Sequence, residues 1–169
     1  MRGVRSTKGF LITTCGTNLS DKFNESEVVV YFPSRTSLEN LRGVHPSLAA
    51  CTLLAMANSE HDFRVAEGLR TIARQERLVS EGRSKTLRSK HLPQEDGWGH
   101  AVDLYPVGYK SVSEIPEVAW EMVATAMRKA AFDLGVNLTW GNDWDGDGIP
   151  IALDPDEGFV DKPHWQLRR

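Results

Sequence analysis

The chain has 169 residues, of which 40% are hydrophobic and 25% charged, with a formal net charge of −3. That length fits one domain with or without an extension, and the composition is that of a globular protein able to bury a core. The charge argues against a dedicated nucleic-acid binder, and no apolar run approaches the roughly 20 residues needed to span a membrane.

Residues 1–35 are polar and turn-rich, with one strand-like run from Glu27 to Phe32. They read as a weakly structured N-terminal extension, and residues 36–169 as the folded domain. The apolar run FLITT is too short for a signal-peptide core, so a cytoplasmic protein is expected. Cys15 and Cys51 make no disulfide framework; Cys51, inside LAACTLLAMA, reads as a buried core thiol and Cys15 as a free one. Pro46 stands where a helix can begin, and the apolar spacing that follows predicts a helix over 46–58. Phe63 and Val65, ahead of Gly68, predict a short strand. TIARQERLVSEG predicts a helix stopped by Gly82. His100 to Tyr105 alternates as a strand does. Pro116 opens the strongest helical pattern, with Val118, Trp120, Val123, Ala124, Met127, Ala130, Ala131 and Leu134 expected to face inward and Gly135 to close it. Val136 to Trp140 and His164 to Leu167 read as further strands. Helices and strands mix without βαβ alternation, which predicts an α+β fold with a small antiparallel sheet flanked by helices.

The polar residues placed on these elements suggest a metal site. His91, His100 and Asp103 lie in one stretch, SKHLPQEDGWGHAVDLYP, and each could hold a metal. On a strand, Asp103 shares a face with Ala101 and Tyr105, whereas His100 goes with Val102 and Leu104. His100 and Asp103 therefore cannot easily reach one ion. His91 precedes the strand on a loop and is free to fold back over the Asp103 face. A second cluster, Asp161-Lys162-Pro163-His164-Trp165, supplies another histidine and another carboxylate. Two histidines and a carboxylate form an open ligand set that leaves a position for water, and a further carboxylate nearby would be the natural proton acceptor. His45 and His61 read as surface or packing residues. No Gly-x-Ser-x-Gly elbow is present, and no Cys has a spaced His partner, so covalent catalysis has little support.

The segments GLRTIARQERLVSEGRSKTLRSKH, GHAVDLYP, LTWGNDW and DKPHWQL resemble, in order, the zinc D-Ala-D-Ala carboxypeptidase-like peptidases, specifically the phage endolysins that are L-alanyl-D-glutamate peptidases. The resemblance covers about residues 35–169 and implies a Hedgehog/D-Ala-D-Ala-peptidase-like zinc site on the sheet. It implies His91, Asp103 and His164 as zinc ligands, Asp161 as catalytic carboxylate, and Arg70 as a residue that binds substrate or polarises the scissile carbonyl. It implies cleavage between L-Ala and D-Glu of the peptidoglycan stem peptide, whose carboxylates suit the basic stretch from Arg64 to Lys90. It further implies a monomer with no stable membrane association, held in the host cytoplasm until the membrane is opened and acting on the cell wall afterwards. D,D-carboxypeptidases and D-Ala-D-Ala dipeptidases share the ligand set, and a metal-containing wall-binding module without catalysis is the reading from another class. The chain departs from the family pattern at one point: the aspartate follows the histidine by twelve positions rather than seven, and the five extra residues fall within Leu92 to Trp98.

DWDGDGIPIALD, residues 143–154, has the oxygen spacing of a calcium loop: Asp143, Asp145 and Asp147 at positions 1, 3 and 5, Gly148 at 6, the Ile149 carbonyl at 7 and Asp154 at 12. Asp in place of Glu at position 12, Pro150, and the lack of an entering helix depart from that pattern. Calcium binding here, separate from the catalytic zinc, is an expectation of the spacing.

Overall fold

The structure is a computed structural model that describes residues 29–148 and 159–168. In chain order its elements are α1 (Arg35–Asn40), α2 (Pro46–Asn58), β1 (Phe63–Glu67), α3 (Ile72–Ser80), β2 (Ala101–Pro106), a short 3-10 turn (Val112–Glu114), α4 (Glu117–Leu134), β3 (Leu138–Trp140) and β4 (His164–Leu167). The strands form one sheet in the order β1-β2-β4-β3, every pair antiparallel. This is the α+β arrangement that the mixed helix and strand patterns predict.

Local chemistry explains the boundaries. Ser34 caps α1 by accepting from the Ser37 N–H, and Thr71 caps α3 by accepting from the Arg74 N–H. Pro46 occupies the first turn of α2, where its missing N–H costs nothing. α4 ends at Gly135, whose φ of 64° is a left-handed conformation that glycine adopts without a Cβ penalty. β1 carries a bulge at Ala66, between the pairs Val65↔Leu104 and Glu67↔Asp103.

α2 and α4 pack together over one side of the sheet. Leu48 and Met56 of α2, Met127 of α4, Val102 and Leu104 of β2, and Trp165 of β4 are fully buried in this core. Cys51 is buried with them, and burial raises the pKa of its thiol. Cys15 lies outside the described residues.

Two inward assignments on α4 are corrected. Val118 is exposed because it lies about 200° around the helix from Trp120, on the solvent side. Leu134 is in phase with Ala130 and Ala131 but falls at the last turn, beyond the covered part of the helix, and is exposed too. The strand-like run is also corrected where it is described: residues 29–32 have irregular backbone, and Glu27 and Val28 lie outside the described residues. Among the described residues no helix is long and apolar enough to cross a membrane.

Candidate metal centre and cleft

The sheet places two of the expected ligands by register. Asp103 of β2 stands directly opposite His164 of β4, so both side chains leave the sheet on the same side. His91 comes from the loop before β2, held there by one backbone bond to the Gly68–Arg70 turn and one to the Ser89 side chain. The Arg70 N–H donates to the His91 carbonyl at 2.8 Å, and the His91 N–H donates to Ser89 Oγ at 3.2 Å. The extra residues between His91 and Asp103 form a self-bonded turn: Pro93 bridges Gly99, and the Gln94 N–H donates to the Trp98 carbonyl at 2.9 Å. The insertion is thus folded away without displacing His91 from the site.

Three atoms converge. His91 Nε2 lies 3.2 Å from Asp103 Oδ1 and 3.3 Å from His164 Nδ1, and His164 Nδ1 lies 3.3 Å from Asp103 Oδ1. The protonation pattern of this triangle follows from the outer contacts. His91 Nδ1 is 2.8 Å from the Gly68 carbonyl, which can only accept, so Nδ1 carries the ring proton and Nε2 presents a lone pair. His164 Nε2 is 3.2 Å from Gln166 Oε1, another acceptor, so Nδ1 of His164 also presents a lone pair. Two lone pairs and a carboxylate oxygen therefore face one point, an arrangement that calls for a cation. The separations match the edge of a tetrahedron whose metal–ligand bonds are about 2.0–2.1 Å, an edge of about 3.3 Å. The residues fit a zinc-sized ion.

The electrostatics agree. Burial disfavours the charged form of Asp103, but hydrogen bonds and charge from His164 and His91 more than offset it and hold the carboxyl well below the usual range. Burial likewise works against charge on His164, yet Asp103 and then Asp161 raise its pKa overall. Asp161 is raised above the ordinary aspartate value, mainly by burial and further by Asp103, with His164 opposing. A partly buried carboxylate of raised basicity beside a cation site can accept a proton.

Asp161 is placed by backbone. Its N–H donates to the Gly141 carbonyl at 2.6 Å, the Gly141 N–H donates to the His164 carbonyl at 2.8 Å, and the His164 N–H donates to the Asp161 carbonyl at 2.9 Å. The approach requires glycine: a Cβ on Gly141 would stand 2.2 Å from the Asp161 carbonyl oxygen. Gly141→Ala is expected to lower stability by about 1–3 kcal/mol, the usual range for overpacking. It should also cut activity, because the displaced segment carries both Asp161 and His164. Thermal unfolding alongside peptidase rate checks this, and unchanged values for both would contradict it.

Arg70 stands beside Asp103 and lines the same cavity as the triangle. Its side chain is only 8% exposed. Nη1 donates to Gln75 Oε1 at 2.6 Å and Nη2 to Glu67 Oε2 at 2.7 Å, and Nη2 lies 3.7 Å from Asp103 Oδ2. Glu67 is shared with Arg74, whose Nε donates to Oε1 at 2.8 Å. The guanidinium is tied on its far side and leans on the outer oxygen of Asp103, which suits holding that carboxylate in place.

His91, Asp103, Asp161 and His164 all line a cleft of about 650 Å³. Arg83, Lys85, Arg88 and Lys90 line it too, as do Trp144 and Phe159. Trp144 lies 5.6 Å from the His164 ring, stacks on Phe159, and donates through Nε1 to the Phe159 carbonyl at 2.6 Å. Lys85 Nζ stands 4.4 Å over the Phe159 ring.

Several residues here carry little or no mark in the sequence. Gln166 had a signal, since it shares a strand face with His164 two positions earlier. The Gly68 carbonyl, Glu67, Gln75 and Gly141 had none, because their roles depend on contacts distant in sequence. His100 is not brought to the triangle; its Nε2 lies 2.8 Å from Asp96 Oδ2 instead. His61 sits against the Val107 carbonyl and stacks on Tyr109. The carboxylates of Asp143, Asp145 and Asp147 do come together, with ligand atoms within 4.8 Å of one another. Asp143 accepts from Arg128 Nη2 at 3.1 Å and, more weakly, from the Gly148 N–H at 3.4 Å. Ile149 and Asp154, the other expected calcium ligands, lie outside the described residues.

A family model described as phage L-alanyl-D-glutamate peptidase matches residues 29–168 of the chain. The L-alanyl-D-glutamate peptidase of Escherichia phage T5 is 28% identical over 117 residues, which cover 68% of this chain and 82% of that protein. The crystal structure of the Serratia marcescens L-Ala D-Glu endopeptidase ChiX superposes with a TM-score of 0.63 and 36% identity, covering 86% of this chain and 94% of that one.

Proposed function

The chain belongs to the phage L-alanyl-D-glutamate peptidase family, and from that membership we propose a zinc-dependent endolysin that cuts the L-Ala–D-Glu bond of peptidoglycan stem peptides. The observation that carries the metal part of this reading is the triangle of His91 Nε2, Asp103 Oδ1 and His164 Nδ1, each edge 3.2 or 3.3 Å. These three residues would hold the zinc. Zinc in an open site of this type supplies Lewis acidity and brings the pKa of water toward 7.

The chain's own groups do the rest. Asp161 takes the proton from the attacking water and passes it to the leaving amine. Arg70 is a positioning residue that fixes the Asp103 carboxylate, itself held by Glu67 and Gln75. The basic residues of the cleft, from Arg83 to Lys90, bind the carboxylates of the stem peptide, and Trp144 and Phe159 add an apolar surface next to Lys85. The protein works as a monomer without stable membrane association. It waits in the host cytoplasm until a separate agent opens the membrane, then acts on the wall. Residues 36–169 form the catalytic domain, so removing residues 1–28 is expected to leave peptidase rate and thermal midpoint unchanged.

Because Arg70 orients a ligand, Arg70→Met is expected to weaken zinc affinity by about 10–100-fold, the usual effect of losing such a partner. A competition titration against a chelator measures it. Unchanged zinc affinity with a raised KM would instead give Arg70 to the substrate.

Calcium at Asp143, Asp145 and Asp147 is a separate part of the proposal. The loop precedes the segment that carries Asp161 and His164, so ordering it would steady both. Calcium added to the zinc-loaded protein should raise activity, and Asp143→Ala with Asp147→Ala should abolish that response. A response that survives the double substitution would make the loop an acidic turn only.

Digestion of purified peptidoglycan tests the bond. New amino termini on D-Glu are expected. Release of free D-Ala would point to a carboxypeptidase, and no products to a wall-binding module.

A further inference from the structure

A second cluster of metal-ligating side chains lies outside the cleft. We propose that His45, Asp96 and His100 form a separate transition-metal site, for zinc or a similar borderline divalent ion, which clamps the insertion between His91 and Asp103 to the body of the domain.

Three separate parts of the chain supply the side chains. His45 precedes α2, Asp96 lies in the extra residues between His91 and Asp103, and His100 leads into β2. One ligand atom from each lies within 4.8 Å of the others. Asp96 Oδ2 is 2.8 Å from His100 Nε2 and 3.9 Å from His45 Nε2, and the two rings meet edge to face with centroids 5.3 Å apart. Two imidazole nitrogens and one carboxylate oxygen suit zinc, nickel, cobalt or copper better than magnesium or calcium, which favour oxygen alone.

The backbone holds these groups in place. The His45 N–H donates to the Gly99 carbonyl and the Gly99 N–H to the Gly43 carbonyl, both at 2.8 Å, so the start of α2 and the end of the insertion are stitched together. Within the insertion the Gly97 N–H returns to the Gln94 carbonyl at 2.9 Å, and Asp96 Oδ1 accepts from the Trp98 N–H at 3.0 Å. The side chains of His45, Asp96 and His100 are 30%, 41% and 20% exposed, which leaves an ion's remaining positions open to water. None of the three lines the catalytic cleft. Arg168, which lines the adjoining groove, donates through Nη2 to the Asp145 carbonyl at 2.6 Å.

Binding would rearrange the site in a recognisable way. His45 Nδ1 now accepts from the Ser47 N–H at 3.2 Å, so its proton sits on Nε2. Coordination through Nε2 moves that proton to Nδ1 and gives up the Ser47 contact. Asp96 and His100 also have to separate from 2.8 Å toward the tetrahedral edge of about 3.3 Å. Both changes make this site weaker than the His91–Asp103–His164 triangle, so it should fill second.

The test is zinc titration of the metal-free full chain, with bound zinc counted after removal of free ion, on the native protein and on a His45→Asn, His100→Gln variant. Asn at position 45 keeps an oxygen to cap α2, and thermal unfolding identifies a variant that has not folded; Asp96→Asn alone then replaces it. The native protein is expected to bind one more ion per chain than the variant. The last equivalent should shift the His45 ring-nitrogen resonances and slow amide exchange in residues 92–99. Equal zinc counts in the native protein and the folded variants would overturn the proposal, whatever the triangle itself binds.

Discussion

Replacing His164 with Ala is expected to empty the catalytic metal site and abolish peptidoglycan hydrolysis in a protein that still folds. His164 supplies one corner of a triangle in which no proton is available to bridge the other two. Its removal leaves His91 Nε2 facing Asp103 Oδ1 at 3.2 Å with two ligands where an open site needs three. The ring also lies beside Trp144 and bonds to Gln166, so a structural loss must be separated from a metal loss. Zinc content per folded chain, measured together with activity, makes that separation. His91→Ala and Asp103→Ala should behave alike, whereas His100→Ala should leave hydrolysis intact because its ring is engaged with Asp96. Full hydrolysis by folded His164→Ala protein would remove the triangle from the mechanism.

Asp161→Asn should give the second-largest loss, with a different signature. The amide is nearly isosteric and keeps the backbone bonds to Gly141 and His164, so zinc content and thermal midpoint should hold. The rate should fall by about 10² to 10⁴, the usual worth of general acid–base catalysis. The loss should appear in kcat rather than in KM, since Asp161 is given no part in binding. A folded, zinc-loaded Asp161→Asn protein with native rate would assign the proton transfer elsewhere.

The parts of this site that could be read in the sequence are those set by period and order. Alternation in β2 separated Asp103 from His100 and put Asp103 on the open face, and β4 was visible from His164 to Leu167. The register that sets Asp103 opposite His164 was not visible, because pairing across dozens of residues leaves no local mark. The spacing of His91 and Asp103 indicated an insertion, but not that it would close on itself through Pro93 and Gly99. The motif gave Arg70 a role in binding substrate or polarising the scissile carbonyl, without showing its neighbours. Only the fold brings Glu67 and Gln75 around its guanidinium and turns it toward Asp103. His45 read as a surface or packing residue for the same reason: what it faces comes from the insertion and from the start of β2. On α4, hydrophobicity named Val118 and Leu134 as core, while helix phase and the position of the last turn left both exposed.

One metal ion held by His91, Asp103 and His164 is what the rest of the mechanism depends on. Anomalous diffraction at the zinc edge from zinc-loaded crystals tests it most directly. A strong peak is expected within bonding distance of His91 Nε2, Asp103 Oδ1 and His164 Nδ1. Zinc-loaded crystals with no peak at that point, or with an ion there ligated by His100 in place of His91, would contradict it.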